Sequence, residues 1–430
     1  MRHLVIVKKF SREPLKISVF GNSFGCFVFV ILVLVFSSCA GGGQGRQGSS
    51  YITIGVLEPL TGVQSGGGNL ELEGIELAHE LNPEVNIGGK LYPVRLAVED
   101  AKSEREDTVA AVQLLVDREK ASVILGTWDS GLASVASDVI RRSKIPAIGI
   151  TCTGPRITAQ NDYYFRICFN DASQANALAK YANDALGTHR GIIIYEQNNS
   201  AFETLHNDII KRFEEFFVTY RSGRKGYNSI IDEFEIYAGV NQDFSGMLAG
   251  VRRDPDELPS IREVNPDVIF IAADYQEAVQ IIRQAKSLGF RIPIIGTANL
   301  DTPDFFAAGG ESLEGLFFAS HYNLDVASTP RAATFIREYK ARNDNLNPSA
   351  VTALAYDAYL LALDAIERAQ STDPEKIRTA IAATRGNFAG VTGQIILDSN
   401  GDAQRSVFIK AVENGNVTLK TTVNPVSVPR

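Results

Sequence analysis

Seven short apolar runs punctuate the chain: "YITIGVL" (51–57), "PVRLAVE" (93–99), "SVILG" (122–126), "PAIGI" (146–150), "GIIIY" (191–195), "DVIFIA" (267–272) and "IPIIG" (292–296). They are rich in Val and Ile and nearly free of polar alternation, the pattern of strands buried on both faces, as in parallel sheets. Between them apolar positions recur at helical spacing: Val109, Val112, Leu115 and Val116; then Leu132, Val135, Ala136 and Val139; then Ala278, Ile281, Ile282, Ala285 and Leu288. Strand then helix, repeated, predicts an α/β fold with parallel sheets covered by helices. Residues 220–228 ("YRSGRKGYN") and 252–264 ("RRDPDELPSIREV") are polar, charged interruptions and read as surface loops. Some 380 residues follow residue 50, more than one ordinary core, so two cores are expected.

The first 38 residues follow a different pattern. Arg2, Lys8, Lys9, Arg12 and Lys16, with Glu13 as the one acid, precede thirteen apolar or small residues, "FGCFVFVILVLVF" (24–36). Basic then apolar is the order of a secretory signal. The apolar stretch falls short of the roughly 20 residues a spanning helix needs. It ends in "FSSCAGGG", which resembles the bacterial lipobox. That motif implies cleavage after residue 38 and a lipid anchor on Cys39, followed by a flexible Gly/Ser tether over 39–50. The expected location is extracytoplasmic, with membrane contact through the lipid only.

Export changes the charge and the cysteine count. The precursor carries −8 and residues 1–38 carry +4, which leaves −12 on the mature chain. An acidic body has no electrostatic claim on nucleic acid, so no nucleic-acid partner is expected. Cys26 leaves with the signal, and Cys152 and Cys168 remain beside Cys39. In an exported protein these two can form a disulfide or stay as buried free thiols.

Several chemistries find no support. A GxSxG pattern, "GNSFG" (21–25), lies inside the signal segment. "SGGGN" (65–69) lacks the spacing of a phosphate-binding loop. The five histidines (3, 79, 189, 206, 321) have neither paired helical spacing nor Cys partners, so no metal set and no cofactor is expected. The chain reads as a binding protein, not an enzyme.

Small polar residues collect at strand ends. "SVILG" runs into "TWDSG" and the amphipathic "LASVASDVI", placing Ser130 at a helix N-terminus. "PAIGI" runs into "TCTGP", where Thr153 or Gly154 can cap a helix whose first turn contains Pro155. In open α/β sheets ligands collect at carboxyl ends of strands, and a hydroxyl beside free amides suits a carboxylate.

The segments "IGVLEPLTG" (54–62), "ELEGIELAHELN" (71–82), "DREKASVILGTWDSGLASVASDVI" (117–140), "IPAIGITCTGPRIT" (145–158), "PDVIFIAADYQEAVQIIRQAKSLGF" (266–290) and "YDAYLLALDAIERAQSTDPEKIRTAI" (356–381) resemble the leucine/isoleucine/valine-type (type I) periplasmic binding proteins, substrate-binding components of ABC importers. The resemblance implies two Rossmann-like lobes with parallel sheets joined by a three-strand hinge. The first lobe would hold 51–171 plus 320–388 and the second 172–319 plus 389–430. It further implies that Ser130 and Thr153 bind an amino-acid α-carboxylate and that the Thr151 carbonyl accepts from the α-ammonium. The family's glutamate after "IPIIG" is Ala298 here, and its tyrosine near Ser200 is missing. Asp274, in "AADYQ", is the expected substitute for the missing acid, or a helix cap. Trp128 is expected to wall the pocket or pack in the core, and Asp129 to cap a helix or pair with a cationic ligand. The resemblance places Cys168 in the following strand, "YFRIC", which offers it as a disulfide partner for Cys152.

The implied function is capture of a small molecule, an amino acid, for an ABC permease and its ATPase. The alternative is a sensor or accessory subunit of the same fold, binding an amide, a short peptide or an aromatic acid without transport.

Overall fold

The computed structural model describes residues 51–197, 199–219, 225–239, 242–250, 259–325 and 329–425. The signal segment, Cys39 and the tether lie outside the described residues, as do 220–224 and 252–258 of the two charged interruptions.

The first sheet is built by β1 (Ile52–Glu58), β2 (Glu84–Ile87), β3 (Lys90–Asp100), β4 (Val123–Gly126), β5 (Ala147–Gly149) and β6 (Tyr164–Arg166), in the order β2-β3-β1-β4-β5-β6. All neighbours are parallel except β2, which pairs antiparallel with β3. Helices α1 (Ser65–Leu81), α2 (Arg105–Asp117) and α3 (Ser130–Ser143) connect them. The strands have apolar residues on both faces because both are covered. Ile54, Val56, Leu125 and Ile148 face one core layer, with α1. Leu57, Ile124 and Ala147 face the other, with α2 and α3.

The segment after β5 differs from its prediction. No helix begins at Pro155; the backbone from Pro155 to Gln160 runs in turns. Arg166 explains this. Its buried guanidinium donates to the carbonyls of Cys152 and Gly154 at 3.2 and 2.8 Å and to Thr158 Oγ1 at 2.8 Å. Those groups are thereby held in a loop, and the carbonyls satisfied without a helical ladder.

The chain then passes to α4 (Asp171–Asp184) and a second sheet, through β7 (Arg190–Glu196), α5 (Ser200–Glu214), a ribbon of β8 (Phe217–Thr219) with β9 (Lys225–Tyr227), and β10 (Ser229–Ile236). Thus part of the first predicted surface loop is a strand. Short helices α6 (Ser245–Ala249) and α7 (Ile261–Val264) lead to β11 (Val268–Ala272), α8 (Tyr275–Ser287), β12 (Ile294–Gly296), α9 (Pro303–Gly309) and β13 (Leu316–Ser320). The sequence then returns to the first sheet's core with α10 (Pro330–Arg342), α11 (Ala350–Ala369), α12 (Pro374–Ala382) and the hairpin of β14 (Arg385–Gly390) and β15 (Gly393–Ile396). It ends in β16 (Val407–Glu413) and β17 (Asn416–Val423), giving the second sheet the order β10-β7-β11-β12-β13-β16-β17. The first five of these strands are parallel and the last two antiparallel.

α11 is buried almost throughout because α1, α12, the β14–β15 hairpin and the sheet surround it. Close approach needs Gly74, where a Cβ would stand 2.3 Å from the Thr352 carbonyl. Chain order reverses at β1 in the first sheet and at β7 in the second, so crevices form beyond the carboxyl ends of the strands beside them.

Candidate functional site

Those crevices face one another. Trp128, Asp129, Ser130, Thr151 and Thr153, from loops after β4 and β5, and Asp274, after β11, all line one cavity of about 70 Å³. A wider cleft of about 780 Å³ shares Trp128, Asp129 and Asp274 with it.

The first wall is held by local structure. Asp129 is the N-cap of α3, accepting from the Leu132 amide at 2.8 Å, so Ser130 opens the helix. Ser130 Oγ accepts from the Gly154 amide at 3.1 Å, which ties the two loops together. The Thr151 hydroxyl donates inward to Glu71, so that hydroxyl is turned away from ligand duty. The Thr153 carbonyl accepts from the Asp171 amide at 3.1 Å. Burial pushes the Asp171 carboxyl up to about 6, and the Thr153 hydroxyl beside it pulls the other way.

Trp128 lies over the first turn of α1. A Cβ on Gly67 would come within 2.2 Å of the indole, so glycine is what admits the ring. The "SGGGN" stretch thus serves packing. The Trp128 amide donates to Glu58 Oε2 at 3.0 Å. Glu58 and Glu71 are both fully buried and face each other. Burial and the neighbouring carboxyl push Glu58 well up, and burial pushes Glu71 up to about 7. Two carboxyls in one dry site retain a proton between them, since both cannot ionise cheaply.

The second wall is acidic. Asp274 is the N-cap residue of α8, yet its side chain makes no capping bond. Its amide donates to Glu196 Oε2 at 3.1 Å. Burial, then Glu196, Asp129 and Glu277, push the Asp274 carboxyl up to about 8. Ala298, where the family has its acid, also lines the cavity; its amide donates to Gln174 Oε1 at 2.6 Å.

Cys152 and Cys168 are free, buried thiols, not a disulfide. Cys152 packs in the layer under α2 and α3, and Cys168 in the layer with α1 and α11, so they lie on different sides of the sheet. The Cys168 thiol donates instead to the Cys152 carbonyl at 3.4 Å.

Sequence reading missed Glu58 and Glu71 behind the wall, and Gln174, Asn199 and His321, which line the cavity. The only hint for Glu58 was an acid ending an apolar strand at a point of chain reversal; the others carry no local signal.

Two open α/β lobes whose strand ends enclose a small polar cavity define a bilobal solute receptor. The chain belongs to the periplasmic binding protein family, whose profile matches residues 51–416. A leucine-binding protein of Thermotoga maritima is 34% identical in sequence with a TM-score of 0.76, covering 87% of this chain and 99% of that one. The branched-chain amino acid substrate-binding protein of Streptococcus pneumoniae, solved with isoleucine, is 26% identical with a TM-score of 0.72, covering 87% of this chain and 100% of that one. A Leu/Ile/Val-binding protein homologue of Brucella melitensis is 26% identical over 324 residues, 75% of this chain and 80% of its own. The protein is a type I solute-binding protein of ABC transporters.

Proposed function

We propose that the protein captures an amino acid between its lobes and presents it to an ABC importer, anchored outside the cytoplasm through a lipid on Cys39. The observation that carries this reading is the meeting of Ser130 and Thr153 from one sheet with Asp274 from the other around a single cavity. A hydroxyl pair beside a helix N-terminus suits the α-carboxylate. The Thr151 carbonyl and Asp274 suit the α-ammonium. Trp128 supplies an apolar wall, and Asp129, engaged as a cap, contributes negative potential.

Closure follows from differential affinity: the open form offers one half of these contacts, the closed form both, and the permease reads the closed form. Because a buried zwitterion must be paired at both ends, loss of either partner is costly. Calorimetry with an amino-acid panel tests the reading. Thr153→Ala and Asp274→Ala should each weaken the best ligand by about tenfold or more; unchanged affinity in both overturns it.

A further inference from the structure

One cavity residue has hydrogen-bonding capacity that the protein leaves unused. His321 directly follows β13, is 4% exposed and lines the cavity. Its Nδ1 has no hydrogen-bond partner among the described residues. The ring is stacked on Phe169, with centroids 3.7 Å apart and planes inclined by 27°, so its orientation is fixed. Burial, reinforced by the charges of Arg405 and Lys410, holds the imidazole neutral.

A neutral imidazole presents one N–H donor and one lone-pair acceptor. An aliphatic ligand side chain would leave Nδ1 without a partner, at the cost of a buried unsatisfied polar group. A cation is opposed by the same Arg405 and Lys410 charges that keep the ring neutral. An anion would lack full compensation, because those two cations are already engaged. Arg405 donates to the Ile167 carbonyl at 3.2 Å and to the Thr392 carbonyl at 2.7 Å, and Lys410 pairs with Asp301 at 3.0 Å. An amide, itself one donor group and one acceptor, matches what remains.

We propose that His321 reads the ligand's side chain and that the ligand is an amino acid with an uncharged, amide-class side chain, not a branched aliphatic one. This rests on the amino-acid reading above and goes beyond it.

The test is calorimetry on the exported protein and two variants with L-glutamine, L-asparagine, L-leucine, L-glutamate and L-lysine. Wild type should bind one of the two amides most tightly. His321→Phe, which keeps the stack on Phe169, should lose about tenfold or more for that amide and gain for leucine, while His321→Gln should stay within a few-fold of wild type. Leucine, glutamate or lysine bound most tightly by wild type overturns this inference and leaves the amino-acid reading standing. Binding of none of the five overturns both. Should His321→Phe fail to fold, the wild-type ranking together with His321→Gln decides: loss of amide preference in His321→Gln counts against the proposal, and its retention supports it.

Discussion

Arg166 Nε donates to Asp402 Oδ1 at 2.7 Å, a pair in which the guanidinium is wholly buried and the carboxylate nearly so. The same guanidinium holds the loop that carries Thr151 and Thr153. A residue of β6 therefore positions the candidate clamp from below while anchored to a segment 236 residues away.

Replacing this arginine takes the counter-charge from Asp402, which keeps only its bonds from Thr158 and Asn170, and takes the guanidinium donor from the Gly154 carbonyl. Arg166→Met should destabilise the protein by about 3–5 kcal/mol, measured by denaturant unfolding. Adding Asp402→Asn to the same chain should recover part of that loss. A full effect in the double variant equal to the sum of the singles contradicts the pairing.

As the proposed partner of the ligand's ammonium, Asp274 should make binding proton-linked. Its carboxyl sits at about 8, raised by burial first and by Glu196, Asp129 and Glu277 after it. The raised group favours the neutral form in the unliganded protein, so its contribution to stability declines as pH rises from the ordinary carboxylate range through about 8. An ammonium needs the ionised form. Calorimetry in buffers of different ionisation enthalpy should show up to one proton released per ligand below about pH 8, with affinity rising up to tenfold per pH unit toward that value. Asp274→Asn should abolish the release.

The Glu58 and Glu71 pair predicts a separate dependence. Stability is fully present at low pH and is lost as pH rises through about 7, where Glu71 gives up its proton. Glu71→Gln keeps a donor toward Glu58 and an acceptor for Thr151 while removing the charge. Between about pH 6 and pH 9 the wild type should lose about 2 °C more in Tm than this variant. Parallel Tm curves would show that the pair does not titrate.

Trp128 is the only tryptophan of the chain and lines the cavity, so its emission should change on ligand binding. Gly67→Ala puts a methyl where the indole now lies, 2.2 Å from the new carbon. The ring must move. The variant should weaken binding by about tenfold and shift the unliganded emission spectrum.

Most of the fold was legible because the strands are buried on both faces and therefore read as nearly all-apolar runs, from Ile52 to Leu57 as clearly as from Val268 to Ala272. The loop after β5 was not, since Pro155 is a good helix start by local rules and only the distant Arg166 overrides it. The thiols of Cys152 and Cys168 were ambiguous for a related reason: separation along the chain does not say which side of a sheet each residue enters. Strand ends mark crevices in such sheets and so brought Ser130 and Thr153 to notice, the family resemblance added Thr151 and Asp274, and all four line the cavity. His321 and the Glu58–Glu71 pair were not legible, because each acquires its character from neighbours remote in sequence.

The chain crosses between the sheets after β6, after β13 and before β16, and the first and third of these strands of connection are bonded to one another. Arg166 reaches Asp402, and Arg405 reaches the Ile167 carbonyl at 3.2 Å. Three free cords would allow the two bodies to slide, twist and swing. Lashed together, they resist shear and torsion and leave bending as the soft coordinate. On the proposed closure the lobes would meet in the same alignment each time and offer the expected permease one repeatable surface instead of a family of them.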